Sequence, residues 1–251
     1  MSEQALVAAS FGTSVPEARR SISAVEEVLA ATAPGRIFVR AFTSPTIRRI
    51  LKSGGEEVPS LTEALEQLSA ANVRQVIIQP THLLYGYEYD KLKAEADALA
   101  DRFEALTVGR PLLSDNRDIQ RFAYHLSQEH PARTEGAAVF MGHGTEHFAN
   151  AVYPALQTAL NFLGRNDIYI GTVEGWPGLE DILRQLEPGG ARRIDLLPLM
   201  LVAGDHARND MAVEWKSRLE DAGHTVVCSF TGLGELPWVQ EMYRERLEEL
   251  L

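Results

Sequence analysis

The amino-acid sequence predicts an α/β protein of two similar halves, each a small parallel sheet flanked by helices, facing one another across a cleft. Three observations lead there. Short apolar runs alternate with segments of helical period, the pattern of parallel strands joined by right-handed crossovers. The 251 residues, 45% of them hydrophobic, suffice for one large α/β domain or two of about 125 residues each. The second half also repeats the layout of the first. Ser10-Phe11-Gly12-Thr13 and Gly142-His143-Gly144-Thr145 each follow the opening strand of their half, and Pro80 through Gly86-Tyr87-Glu88 is spaced like Pro198 through Gly204-Asp205-His206.

Residues 5–9 form an apolar run ending at the Ser10–Ser14 turn, read as a buried strand. The helix that follows places Ala18, Ile22, Val25 and Leu29 on one face. Residues 36–42, richer in β-branched and aromatic side chains, are the second strand. Ser44-Pro45 starts a helix with a serine cap and a proline in the first turn, and Ser60-Leu61-Thr62-Glu63 has capping-box spacing. Residues 73–79 are the third strand. After Pro80 a loop leads to a helix carrying Leu92, Ala96, Leu99 and Phe103, and residues 105–108 are the fourth strand. Residues 115–130 read as a helix between the halves, followed by the connector His130-Pro131-Ala132-Arg133. In the second half, strands are expected over 137–141, 167–173, 192–197 and 225–229. A helix over 146–163 should kink or break at Pro154, a polar helix should follow His206, and a last helix should cover 237–251. The halves are thus 1–130 and 131–251, with the C-terminal helix able to pack on the first.

Composition narrows the function. A net charge of −11 argues against nucleic acid, which demands a basic face. A single cysteine, Cys228, rules out an internal disulfide framework and fits a reducing compartment. No basic and apolar leader pattern opens the sequence, and no apolar stretch approaches the ~20 residues of a membrane span. The expectation is a cytoplasmic protein without a membrane partner.

Ligands of open α/β sheets bind beyond the carboxyl ends of the strands. In the second half those ends carry His143, held between two glycines, Glu174 before Gly175-Trp176-Pro177, and His206 within Gly204-Asp205-His206-Ala207. The glycines leave the His143 imidazole projecting from its turn, which points to a functional role, whereas Glu174 alone reads as a solvated loop carboxylate and His206 alone as a helix-start residue. Together, two imidazoles and a carboxylate suit a borderline divalent ion and leave coordination positions open. His147 reads as a helix-start residue, because His-Gly-Thr-Glu-His lacks the zinc-protease order. The Ser10-Phe11-Gly12-Thr13 turn lacks both a dinucleotide fingerprint and a P-loop lysine, and reads as a cleft lining. His82, Tyr85, Tyr87 and Trp176, in or beside loops of the same edges, are candidates for a flat ligand wall.

Several segments together resemble the anaerobic cobalt chelatases of the CbiK type, within the class II chelatases. They are Ser10-Phe11-Gly12-Thr13-Ser14, Ala41-Phe42-Thr43-Ser44, Gln79-Pro80-Thr81-His82, Met141-Gly142-His143-Gly144-Thr145-Glu146-His147, Val173-Glu174-Gly175 and Leu201-Val202-Ala203-Gly204-Asp205-His206-Ala207. The resemblance implies two flavodoxin-like halves and insertion of Co(II) into sirohydrochlorin, or its precursor precorrin-2, on the anaerobic route to cobalamin. It implies His143, Glu174 and His206 as metal ligands and His143 as proton acceptor. Glu88 is the carboxylate kept where the family often has Pro-Gly-Glu-Glu and this chain has Tyr85-Gly86-Tyr87-Glu88. Ser10, Phe11, Gly12, Thr13, His82, Tyr85, Tyr87 and Trp176 would contact the tetrapyrrole. No cofactor is expected beyond the divalent metal substrate, Co(II) or alternatively Fe(II) or Ni(II). An iron or nickel chelatase for siroheme-type cofactors and a non-catalytic tetrapyrrole or metal carrier stay open as alternatives, as does homo-oligomerisation.

The substrate so implied is a polycarboxylate, whereas the protein is acidic. Long-range attraction is therefore absent, and local donors such as helix-start amides, Arg40, Arg48 and Arg208 must bind it. Stopped-flow association should depend only weakly on ionic strength; a steep loss of on-rate with salt would contradict this.

Overall fold

A computed structural model describes residues 3–132, 136–187, 190–204 and 207–251. The chain forms two compact units, Met1–Leu112 with Gly234–Leu251, and Leu113–Leu233.

The first unit runs β1 (Gln4–Ser10), α1 (Arg19–Thr32), β2 (Ile37–Phe42), α2 (Pro45–Ser53), α3 (Leu61–Ala70), β3 (Gln75–Pro80), α4 (Tyr87–Asp97) and β4 (Ala105–Val108). Its sheet is parallel, in the order β2-β1-β3-β4. Central β1 is buried from Ala5 to Ser10 because helices cover both faces, which explains its unbroken apolar run. On one face Val7, Ala9 and Ile78 pack with Leu61, Leu65 and Leu92 of α3 and α4. Both predicted caps form: Ser44 accepts from the Ile47 amide at the start of α2, and Ser60 and Glu63 make a reciprocal box. The amide donated back to Glu63 and the nearby Arg48 hold its carboxyl below the ordinary carboxylate range.

The second unit runs α5 (Asn116–Glu129), β5 (Gly136–Gly142), α6 (Val152–Phe162), β6 (Ile168–Thr172), α7 (Leu179–Leu186), β7 (Arg193–Pro198), a π-helix (Ala207–Trp215) continuing into α8 (Lys216–Asp221), and β8 (Thr225–Cys228). The last helix, α9 (Pro237–Glu248), belongs to the first unit. The second sheet is parallel in the order β6-β5-β7-β8, the same permutation as the first. Val139, Met141, Ile194 and Leu196 pack against Ile182, Leu186, Met211 and Trp215.

The boundary differs from that read at residue 130. Helix α5 turns its buried Phe122, Ala123 and Leu126 inward and packs on α6, so it belongs to the second unit and the division falls after Leu112. Pro154 neither kinks nor breaks a helix. A 3-10 turn over Phe148–Ala151 precedes α6, and Pro154 is the third residue of that helix, where amides have no partner within the helix. Helix α7 was not foreseen, and the polar helix after His206 is a π-helix with Ala207, Met211 and Trp215 buried.

Helix α9 is tied to the first sheet's edge by the buried Tyr243 hydroxyl, which donates to the Thr81 carbonyl at 2.7 Å. Tyr243→Phe should lower unfolding free energy in urea by about 1–2 kcal/mol with an unchanged slope, since a buried acceptor loses its donor. An unchanged midpoint would contradict that tie.

Candidate metal centre

The centre is built on an extension of the β5–β6 ladder. Past the last strand pair, the Val173 amide donates to the Gly142 carbonyl at 3.0 Å and the Glu174 amide to the His143 carbonyl at 2.8 Å. His143 and Glu174 therefore leave adjacent strands side by side, and His143 Nδ1 lies 3.7 Å from Glu174 Oε2. Both side chains reach solvent. The next residue must be glycine. Gly144 has φ +81°, and a Cβ there would come within 2.6 Å of the Gly175 nitrogen and 2.8 Å of Thr172 Cβ. His143 Nδ1 also lies 3.0 Å from the Gly144 carbonyl. With the proton on Nδ1 this is a hydrogen bond.

His206 lies outside the described residues. Of the three ligands read from the sequence, the structure brings His143 and Glu174 together; among the described residues no group of three His, Cys, Asp or Glu side chains could hold a metal.

Two side chains that the sequence did not single out brace the loops. Tyr153, buried at the start of α6, accepts a hydrogen bond from the Gly144 amide at 3.3 Å, and burial raises its pKa. Asn150 accepts from the Thr145 amide at 3.1 Å and donates to the Trp176 carbonyl at 2.6 Å. No motif marks either, because their contacts join segments apart in sequence. His147 starts the 3-10 turn, its Nδ1 accepting from the Ala149 amide at 3.1 Å. Trp176 is exposed, before the cis peptide to Pro177.

The remaining candidates sit on the first unit. Ser10 is buried, its hydroxyl accepting from Thr81 Oγ1 at 2.8 Å, and Thr13 is buried with its hydroxyl accepting from the Val15 amide at 3.2 Å. Both hydroxyls are engaged in hydrogen bonds that hold this turn. Gly12 packs over the Phe42 ring, whereas Phe11 and Tyr87 are exposed. Tyr85 stacks edge-on against Tyr89 with ring centres 4.9 Å apart. Arg40 is paired through two nitrogens with the buried Glu26, and Arg48 pairs with Glu63, so neither guanidinium is an unengaged carboxylate donor; Arg208 is exposed.

His82 and Glu88 differ in kind from these. Both ring nitrogens of His82 and Oε2 of Glu88 are shielded from solvent with no hydrogen-bond partner among the described residues. The residue as a whole is half-buried, but its ring nitrogens are not accessible. Burial lowers its pKa from 6.5 to about 4, keeping the imidazole neutral at neutral pH.

Two units of one strand permutation, with an imidazole and a carboxylate adjacent at the carboxyl edge of the second, make a chelatase-type α/β fold. The structure of SirB from Bacillus subtilis with Fe3+ superposes with a TM-score of 0.70 at 16% identity, covering 99% of this chain and 95% of that one. The cobalt complex of the sirohydrochlorin chelatase SirB from Bacillus subtilis subspecies spizizenii gives 0.65 at 14% identity, over 99% and 95%. At such identities the likeness is one of fold. A family model described as cobalt chelatase (CbiK) matches residues 4–251, and the chain belongs to that family. A sirohydrochlorin cobaltochelatase of Salmonella typhimurium is 38% identical over 99% of this chain and 97% of its own length. Sirohydrochlorin cobaltochelatase CbiKC of Nitratidesulfovibrio vulgaris is 33% identical over 98% and 90%. No helix among the described residues is long and apolar enough to cross a membrane.

Unfolding returns His82 to its ordinary pKa, so between pH 6.5 and about 4 the unfolded chain binds more protons than the folded one. Stability must fall as pH drops through that window, by up to about 3 kcal/mol from this residue. In urea titrations from pH 7 to pH 4, His82→Gln should lose less stability than wild type. Parallel profiles would show that the ring is not shielded.

Proposed function

We propose that the protein inserts Co(II) into sirohydrochlorin, releasing two pyrrole protons, as an early step of anaerobic cobalamin synthesis in the cytoplasm. The observation that carries this reading is the adjacency of His143 and Glu174 on neighbouring strand ends, 3.7 Å apart and open to solvent, in a chain of the cobalt chelatase family. The relatives named above as sirohydrochlorin cobaltochelatases, matched over nearly their whole length, supply the substrate and the metal.

Insertion asks three things of a protein: water must leave the ion, the ion must stay partly open toward the ring, and two N–H protons must depart as Co(II) takes their place. An imidazole nitrogen and a carboxylate replace aquo ligands and leave positions vacant. In the proposal His206, at the chain position following β7, is the third ligand. One lone pair cannot hold metal and proton together, so His143 alternates between ligand and base, and Glu88 accepts the other proton. Phe11, Tyr85, Tyr87 and Trp176 contact the macrocycle through their rings. His82 stands beside it as a neutral imidazole. No cofactor beyond the metal substrate is required, and because ligand type discriminates poorly among late divalent metals, preference must be measured.

The test is a spectral assay of purified protein with metal-free sirohydrochlorin and Co(II), Fe(II) or Ni(II) in excess. Multiple turnovers fastest with Co(II) are expected, and kcat/KM should fall on the order of 100-fold or more in His143→Ala, Glu174→Ala and His206→Ala. Stoichiometric binding without turnover would make the protein a carrier, and faster insertion of iron or nickel would overturn the choice of metal.

A further inference from the structure

We infer that Asn150 is a positioning residue that sets the separation of His143 and Glu174, an inference resting on the reading of those two side chains as metal ligands. Asn150 lies in the 3-10 turn Phe148–Ala151. Its amide oxygen accepts from the Thr145 N–H at 3.1 Å, and its amide nitrogen donates to the Trp176 carbonyl at 2.6 Å. Thr145 stands two residues beyond His143, and Trp176 two residues beyond Glu174. One planar amide thus clasps the two loops at matching distances past the two ligands.

The clasp explains Gly175. Its backbone is outside the left-handed region, so conformation does not demand glycine there. Space does: a Cβ at Gly175 would clash with the Asn150 amide oxygen and come within 3.1 Å of the Thr145 nitrogen. Beyond the last ladder bond, Glu174 N–H to the His143 carbonyl, the amide contacts of Asn150 join the two loop tips. Ligand side chains on loops contribute affinity only when their backbones are held in the binding geometry beforehand. Asn150 touches backbone groups of both loops, so it acts through the ligands and not on the reacting atoms.

The test is Co(II) titration of the full-length protein without tetrapyrrole, by competition with a chromophoric chelator, joined to steady-state kinetics. Asn150→Ala should weaken Co(II) binding and raise KM for Co(II) about 10- to 100-fold, with KM for sirohydrochlorin unchanged and kcat recovered at saturating Co(II). Gly175→Ala, which keeps every hydrogen-bonding group but displaces the amide, should act in the same direction. The double variant should be no weaker than Asn150→Ala alone, because both changes undo one contact. If Asn150→Ala does not fold cooperatively, Gly175→Ala decides. Wild-type cobalt affinity in these variants, with affinity lost in His143→Ala and Glu174→Ala, would overturn the positioning role and leave the ligands standing. Wild-type affinity in His143→Ala and Glu174→Ala would instead overturn the ligand reading itself.

Discussion

The centre depends on one short piece of backbone, the two ladder hydrogen bonds that carry the β5–β6 pairing past its last strand pair. They bring the His143 and Glu174 backbones to hydrogen-bonding distance, which starts the two side chains off side by side. Continuing the ladder requires the chain to turn immediately afterwards while the neighbouring loop is still in contact. Gly144 permits this at positive φ, with Gly175 packed against it where a side chain would collide. The adjacency therefore begins in sheet geometry, and the glycines beside His143 and Glu174 are part of it.

The first unit uses the same backbone device for another chemistry. The Thr43 amide donates to the Ser10 carbonyl at 2.8 Å and the Ser44 amide to the Phe11 carbonyl at 3.2 Å, matching the bonds that Val173 and Glu174 make to Gly142 and His143. Gly12, with φ +96°, stands where Gly144 stands. Phe11 thus takes the place of His143, and Ser44, which caps α2, the place of Glu174. One unit presents an exposed aromatic ring where the other presents an imidazole. The duplication read from turn spacing is in this way visible in individual hydrogen bonds, and on the first unit His82 is kept uncharged by burial.

Legibility in the sequence followed the range of the interaction. Ser44, Pro45 and the Ser60–Glu63 box act within one helical turn, and each forms as read. The buried β1 run and the strand-end placement of His143 and Glu174 rest on period and topology, and both were readable. What escaped was decided through space. The division at Leu112 follows from the packing of α5, with Phe122 and Leu126 buried, on α6, and the Pro-containing connector after residue 130 gives no hint of it. The inward turn of Ser10 toward Thr81 is set by a partner 71 residues away. The clasp by Asn150 and the π form of Ala207–Trp215 likewise carry no periodic signature.

The central claim, that His143 and Glu174 bind the metal from adjacent strand ends, is tested most directly by X-ray absorption at the cobalt edge on Co(II)-loaded protein without tetrapyrrole. The account predicts a shell of nitrogen and oxygen donors showing the outer-shell scattering of imidazole, with that imidazole signal reduced in His143→Ala. An unchanged imidazole signal in His143→Ala, or a sulfur donor from Cys228, would contradict it.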